Sequence, residues 1–141
     1  VNLKGKLSYL ISTSKYGPGE LKNSFCTPRG KHIIRAKIGT GQELGTIFKN
    51  RRPSGEIFSA SKHRLEEGDW ILTRILWLSG IEKGRNRLGN VDTMQRFIYI
   101  HGTPEETILG VPVSKGCINM RNEDVIQVFD LVAVGTMVYI E

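Results

Sequence analysis

The sequence predicts a mostly β fold with one late helix, and three observations carry that expectation. Short apolar runs rich in β-branched and aromatic residues recur along the 141 residues, sixteen glycines and five prolines interrupt them, and a single segment near the C-terminus keeps a helical period. An apolar fraction of 39% supplies one buried core, so residues 1–141 are expected to form one domain.

Residues 7–11 set Leu7, Tyr9 and Ile11 in alternation with Ser8, and residues 32–38 carry Ile33, Ile34, Ala36 and Ile38 between polar positions; both read as strands. Residues 70–78 and 97–100 are almost continuously apolar, which fits strands covered on both faces. Glycine and proline place turns at 16–20, 39–45, 52–55 and 80–89. A helix is expected over about 123–133, with Asn122 as N-cap, Glu123 and Asp124 at its positive end, Val125, Ile126, Phe129 and Val132 as its apolar stripe, and Gly135 at its exit. Residues 137–140 return as a terminal strand, and no repeat or interdomain linker interrupts the chain.

Twenty Lys and Arg against fourteen Asp and Glu leave a net charge of +6, which favours an anionic partner: nucleic acid, a membrane surface or an acidic wall polymer. The basic residues are scattered in short groups such as Lys49, Arg51, Arg52 and Lys83, Arg85, Arg87, without a basic recognition helix, so nucleic acid is not expected. No run approaches the roughly 20 apolar residues of a membrane span. The chain starts at Val1 without the regions of a secretory signal, which leaves both a cytosolic protein and a processed exported one open. Cys26 and Cys117 are read as free thiols, Cys26 as a turn residue without a local base. His32 and His63 lack partners at metal-ligand spacing, so no metal is expected; Gly39-Thr40-Gly41 lacks the lysine and helix of a phosphate loop, so no cofactor is expected either. Trp70 and Trp77 read as core or cleft-wall residues.

The chemistry-bearing residues are His101, after the apolar run 97–100, and Cys117, sixteen residues later in Ser114-Lys115-Gly116-Cys117-Ile118-Asn119-Met120. A thiol with an ordinary pKa of about 8.5 is only a few per cent thiolate at neutral pH, so a nucleophilic cysteine needs a group to take its proton, and an imidazole serves. Taken alone, a Cys and a His are more often a small buried residue and a hydrogen-bonded one.

The surrounding residues tip the balance. His101-Gly102-Thr103, Gly110, Pro112, Ser114, Gly116-Cys117 and Asn119 closely resemble the signature of the L,D-transpeptidases, the YkuD-like family, in which His-Gly or His-Ser is followed after a loop by Ser/Thr-His-Gly-Cys, an apolar residue and Asn or Arg. The resemblance extends to Ser12-Thr13-Ser14, Thr27-Pro28-Arg29-Gly30 and Lys37-Ile38-Gly39, and on through the helix and last strand. Lys115 stands where the family carries its second histidine.

What the resemblance implies is a β-sandwich of mixed sheets and a peptidoglycan L,D-transpeptidase. Cys117 would attack an amide of a tetrapeptide stem, release the terminal D-residue as a thioester forms, and pass the acyl group to an amine of a second stem. It further implies His101 as base, the Gly102 carbonyl orienting the imidazole, and the Gly116 and Cys117 amides as oxyanion donors. Ser114, Lys115 and Asn119 would shape the active-site loop, a purely structural role for Ser114 and Asn119 being an equal alternative. Arg96 and Arg121 are candidate contacts for a substrate carboxylate, or solvated charges. Peptidoglycan stems, a covalent carbapenem adduct at Cys117 and a periplasmic or envelope location follow from the same resemblance. Lys115 keeps a cation but does not replace an imidazole as base. Two further readings stay open: water as acceptor, giving an L,D-carboxypeptidase or amidase, and a catalytically impaired wall-binding module.

Overall fold

A computed structural model of the chain describes residues 2–3, 6–64, 69–105 and 107–141. Strands β1 (Asn2–Leu3) and β2 (Lys6–Leu7) form a small antiparallel hairpin. The main sheet contains β3 (Ile11–Ser12), β4 (Gly30–Ile38), β5 (Thr46–Lys49), β6 (Arg52–Ile57), β7 (Leu72–Gly80), β8 (Tyr99–Thr103), β9 (Ile118–Arg121) and β10 (Met137–Ile140). Its order is β10-β4-β7-β8-β9-β3, with β5 branching from β7 and carrying β6. The β8–β9 pair is parallel and the rest antiparallel, so the sheet is mixed; helix α1 (Asn122–Leu131) packs on β7, β8 and β9.

The nearly continuous apolar run that becomes β7 is buried on both faces, as its composition demanded. Leu76 and Leu78 join Ile34, Ile98, Ile100, Ile118 and Met120 beneath Val125 and Phe129 of α1. Ile75 faces the other way with Phe48 and Tyr99, and Ile38, Ile71, Trp77 and Cys117 pack around that second cluster. The smaller cluster forms the floor of the candidate site.

Several expected boundaries are corrected. The stretch 7–11 is no single strand: β2 ends at Leu7 and β3 begins at Ile11. Residues 52–55 are not a turn but the start of edge strand β6, where Pro53 is tolerated, and the turn lies at 50–51. The strand expected at 97–100 starts at Tyr99, because Phe97 takes a left-handed φ of 58°; His101 therefore lies inside β8 rather than after it. The helix stops at Leu131, two residues short of expectation, and its N-cap is Arg121. The Asn122 side chain is turned inward, where its Oδ1 accepts a 2.6 Å hydrogen bond from Thr73 Oγ1. Gly135, at φ 94°, makes the turn into β10.

Candidate active site

Alternation along β8 and the start of β9 sorts side chains onto two faces. Ile98, Ile100, Ile118 and Met120 enter the helix-covered core. Tyr99, His101, Cys117 and Asn119 line a cleft of about 480 Å³ on the opposite face. The parallel register sets Ile100 beside Ile118 and His101 beside Asn119, which brings residues sixteen or more positions apart into one site.

His101 is buried, with Nδ1 2.6 Å from the Gly102 carbonyl oxygen. A carbonyl only accepts, so Nδ1 carries the proton and Nε2 keeps its lone pair. Burial pulls the imidazole pKa below its ordinary 6.5, opposed by the Gly102 carbonyl and by Asp69; His101 is therefore neutral at pH 7, the form a base must have. Gly102 has no room for a side chain: a Cβ would collide with Asn122 Oδ1 and lie 2.7 Å from the Leu72 carbonyl oxygen.

The Cys117 thiol receives the Tyr99 N–H at 3.3 Å and donates to the Phe97 carbonyl at 3.4 Å. Burial pushes its pKa up to about 12; the Tyr99 N–H and Arg96 work against that rise and Asp69 adds to it. The resting group is a thiol that shares its cleft with a neutral imidazole and is hydrogen-bonded to backbone rather than to the ring.

The loop before β9 is fixed by polar contacts from upstream residues. Ser114 Oγ donates to the Cys117 carbonyl at 2.6 Å and accepts the Gly116 N–H at 3.2 Å. Thr27 Oγ1 donates to the Gly116 carbonyl at 3.0 Å and accepts the Ser14 N–H at 3.0 Å, while the Ser114 N–H reaches the Thr13 carbonyl. Of the two amides expected as oxyanion donors, the Gly116 N–H is engaged by Ser114 Oγ, while the Cys117 N–H has no partner among the described residues. Gly116 sits at φ +124°, and a Cβ there would lie 3.0 Å from Ile98 Cδ1. Asn119 is buried in the cleft wall with Oδ1 unpartnered among the described residues, and Lys115 is exposed at the rim.

The YkuD family model, described as the L,D-transpeptidase catalytic domain, matches residues 2–140. The chain belongs to the L,D-transpeptidase family. It is 51% identical over 97 residues to the L,D-transpeptidase-family protein YkuD of Bacillus subtilis, covering 69% of this chain and 49% of that one. Among solved structures it is similar to L,D-transpeptidase 3 of Mycobacterium tuberculosis (18% identity, TM-score 0.54, 100% of this chain and 47% of that one). It is also similar to the LD transpeptidase LdtMt1 in complex with imipenem (19% identity, TM-score 0.51, 99% and 52% coverage). These two likenesses bear on the fold, and the chain spans about half the length of each of the three proteins.

Within this L,D-transpeptidase domain the remaining candidates separate. Arg96 Nη2 donates to the Cys26 carbonyl at 2.6 Å and Nη1 to that of Gly19 at 3.3 Å, so this guanidinium braces the segment beneath the cleft wall. Arg121 is absent from the cleft and lines a separate cavity with Thr103 and Glu123, which removes it as a partner for substrate at Cys117. Cys26 is free, as is Cys117, and its Sγ lies 3.4 Å from the Tyr16 carbonyl oxygen. Trp77 borders the site, edge-on to Tyr99 at 5.6 Å, and Trp70 packs with Phe58 and His63.

Arg51 is the cleft residue that the sequence reading passed over as one of a basic group. It sits in the two-residue turn between the paired residues Lys49 and Arg52, where Asn50 and Arg51 take φ values of 49° and 63°. A left-handed non-glycine residue costs roughly 1–2 kcal/mol. Its guanidinium lies 4.8 Å from the Phe97 ring and 5.2 Å from that of Trp77, and Nη1 donates to Tyr99 Oη at 3.2 Å. The one signal available was Asn50, a residue that tolerates left-handed turns; that this turn overhangs Cys117 follows from the pairing of Ile47 with Leu72, which no local pattern encodes.

Proposed function

We propose that residues 1–141 act as one catalytic domain that transfers an acyl group from a peptidoglycan tetrapeptide stem to an amine of a second stem, through Cys117. The observation that supports this most is the placement of the Cys117 thiol and a neutral His101, with its Nε2 unpartnered among the described residues, on one face of β8 and β9. With a stem amide in the cleft, the Cys117 proton passes to His101 Nε2 as the Sγ–carbon bond forms. Negative charge moves onto the carbonyl oxygen, where the Cys117 N–H is the available donor. A high thiol pKa is compatible with this step, because the proton leaves as charge flows onto the substrate, without a free buried thiolate accumulating.

Collapse then breaks the C–N bond; the departing amine of the D-residue takes the proton from Nε2, and a thioester remains. The second stem's amine attacks that carbon and gives a proton to Nε2. Expulsion of Cys117 sulfur completes a new amide, and the imidazolium returns the proton to the departing thiolate, which regenerates the thiol. Lys115, an exposed cation at the rim, contributes charge rather than proton transfer.

The family, the imipenem held by LdtMt1 and the net charge of +6 all suit a domain working on the anionic wall polymer in the cell envelope. Incubation with tetrapeptide stems and with imipenem, read by mass spectrometry, tests the proposal. The expected products are a cross-linked stem dimer and a drug adduct, both lost in Cys117→Ala. Tripeptide alone would make water the acceptor. Absence of adduct and product in the wild type, with their appearance in Lys115→His, would mark the natural chain as impaired.

A further inference from the structure

We propose that Arg51 is the carboxylate anchor of this cleft, selecting acyl donors that carry a free carboxylate near the scissile carbonyl. The inference rests on the acyl-transfer reading for its choice of ligand and on four observations for its site. First, the turn that holds Arg51 has both central residues at positive φ, the pattern of a type I′ turn, whose second position favours glycine. An arginine there works against the turn, so its side chain has a use that the turn itself does not explain.

Second, the guanidinium is held in place over the cleft: it lies against the rings of Phe97 and Trp77 at 4.8 and 5.2 Å, with Tyr99 Oη accepting from Nη1. Third, that contact engages one of five N–H donors, and no carboxylate pairs with Arg51 among the described residues. A stacked guanidinium with free edges is built for bidentate recognition of a planar carboxylate. Fourth, the other cations of the cleft offer nothing equivalent. Arg96 is committed to backbone carbonyls, and Lys115 is an exposed point charge on the rim.

Two carboxylates of a stem could meet Arg51: that of the leaving D-residue, and one carried on the side chain of the residue whose carbonyl is attacked. Synthetic stems amidated at one position or the other distinguish them. Two readouts are needed: turnover of each stem by the otherwise wild-type enzyme, and calorimetric binding of each stem to protein carrying Cys117→Ala, both with and without Arg51→Gly. Glycine restores Asn-Gly, the preferred sequence for this turn, so the variant removes the guanidinium without opposing the fold.

Amidation at one position is expected to weaken binding and raise KM by about tenfold to a hundredfold in the parent protein. Arg51→Gly should cost the free acid a similar factor and leave the amide almost unchanged, which erases the preference. Arg51→Lys should restore part of it. A turn residue with a merely structural role would not move the acid-to-amide ratio.

An unchanged preference in Arg51→Gly, equal treatment of acid and amide by the parent, or no stem binding at all would overturn the anchor. Carboxylate-selective binding that Arg51→Gly abolishes, without turnover, would keep the anchor and refute the transferase reading instead.

Discussion

His32 and His101 are both buried, both lie on strands of the main sheet, and both have pKa values lowered by burial, yet they are wired differently. His32 uses both ring nitrogens, Nδ1 against the Gly30 carbonyl at 3.0 Å and Nε2 against Thr93 Oγ1 at 2.9 Å. Among the described residues His101 uses only Nδ1, and it faces a cleft that also holds a thiol. An imidazole with both nitrogens satisfied is a structural bolt; one held by a single carbonyl keeps a lone pair for proton transfer. Burial and depressed basicity are common to the two histidines, and the count of engaged nitrogens is what distinguishes them.

Breaking each imidazole in turn gives the largest effects. His101→Gln should slow acylation of Cys117 by about 10²–10⁴-fold, the usual range for a lost general base, with little change in urea midpoint. His32→Ala should do the reverse. Two buried partners, the Gly30 carbonyl and Thr93 Oγ1, lose their contact, so unfolding free energy should drop by roughly 2–4 kcal/mol while acylation per folded molecule stays unchanged.

The pH dependence sharpens the contrast. With both imidazoles depressed below 6.5, the unfolded chain binds more protons than the folded one between the lowered values and 6.5. The stability this neutrality provides is complete above that pH and is lost as pH falls through the window. Urea unfolding from pH 7.5 to 5 should show that decline, and a shallower one in His32→Gln, which removes one of the two titrations. With His101 as the proposed base, acylation should hold down to a lower pH than an ordinary imidazole would allow.

The smallest effect is expected at the second thiol. Cys26→Ser should stay within about 0.5 kcal/mol of the wild type and leave the acylation rate unchanged, because Cys26 contacts backbone carbonyls and does not line the cleft.

What the sequence revealed follows the range of its signals. Periodicity found α1 through Val125 and Phe129, and continuous apolarity found β7, because burial on one or two faces is written locally. Cys117, His101 and Gly102 stood out through the residues around them, and the register of β8 with β9 accounts for their proximity. Other features hung on partners distant in sequence. Asn122 reads as an N-cap, but its side chain accepts from Thr73, and the Gly116 amide, expected as an oxyanion donor, is engaged by Ser114. Pro53 and Gly55 read as a turn because an edge strand tolerates both residues, which displaced the real turn and concealed Arg51.

The contrast between the two imidazoles is tested most directly by the rate of imipenem adduct formation at Cys117, followed by intact-protein mass in wild type, His32→Gln and His101→Gln under conditions where all three are folded. The expected result is an unchanged rate in His32→Gln and a loss of about a hundredfold or more in His101→Gln. Equal rates in wild type and His101→Gln would contradict the assignment of His101 as the base.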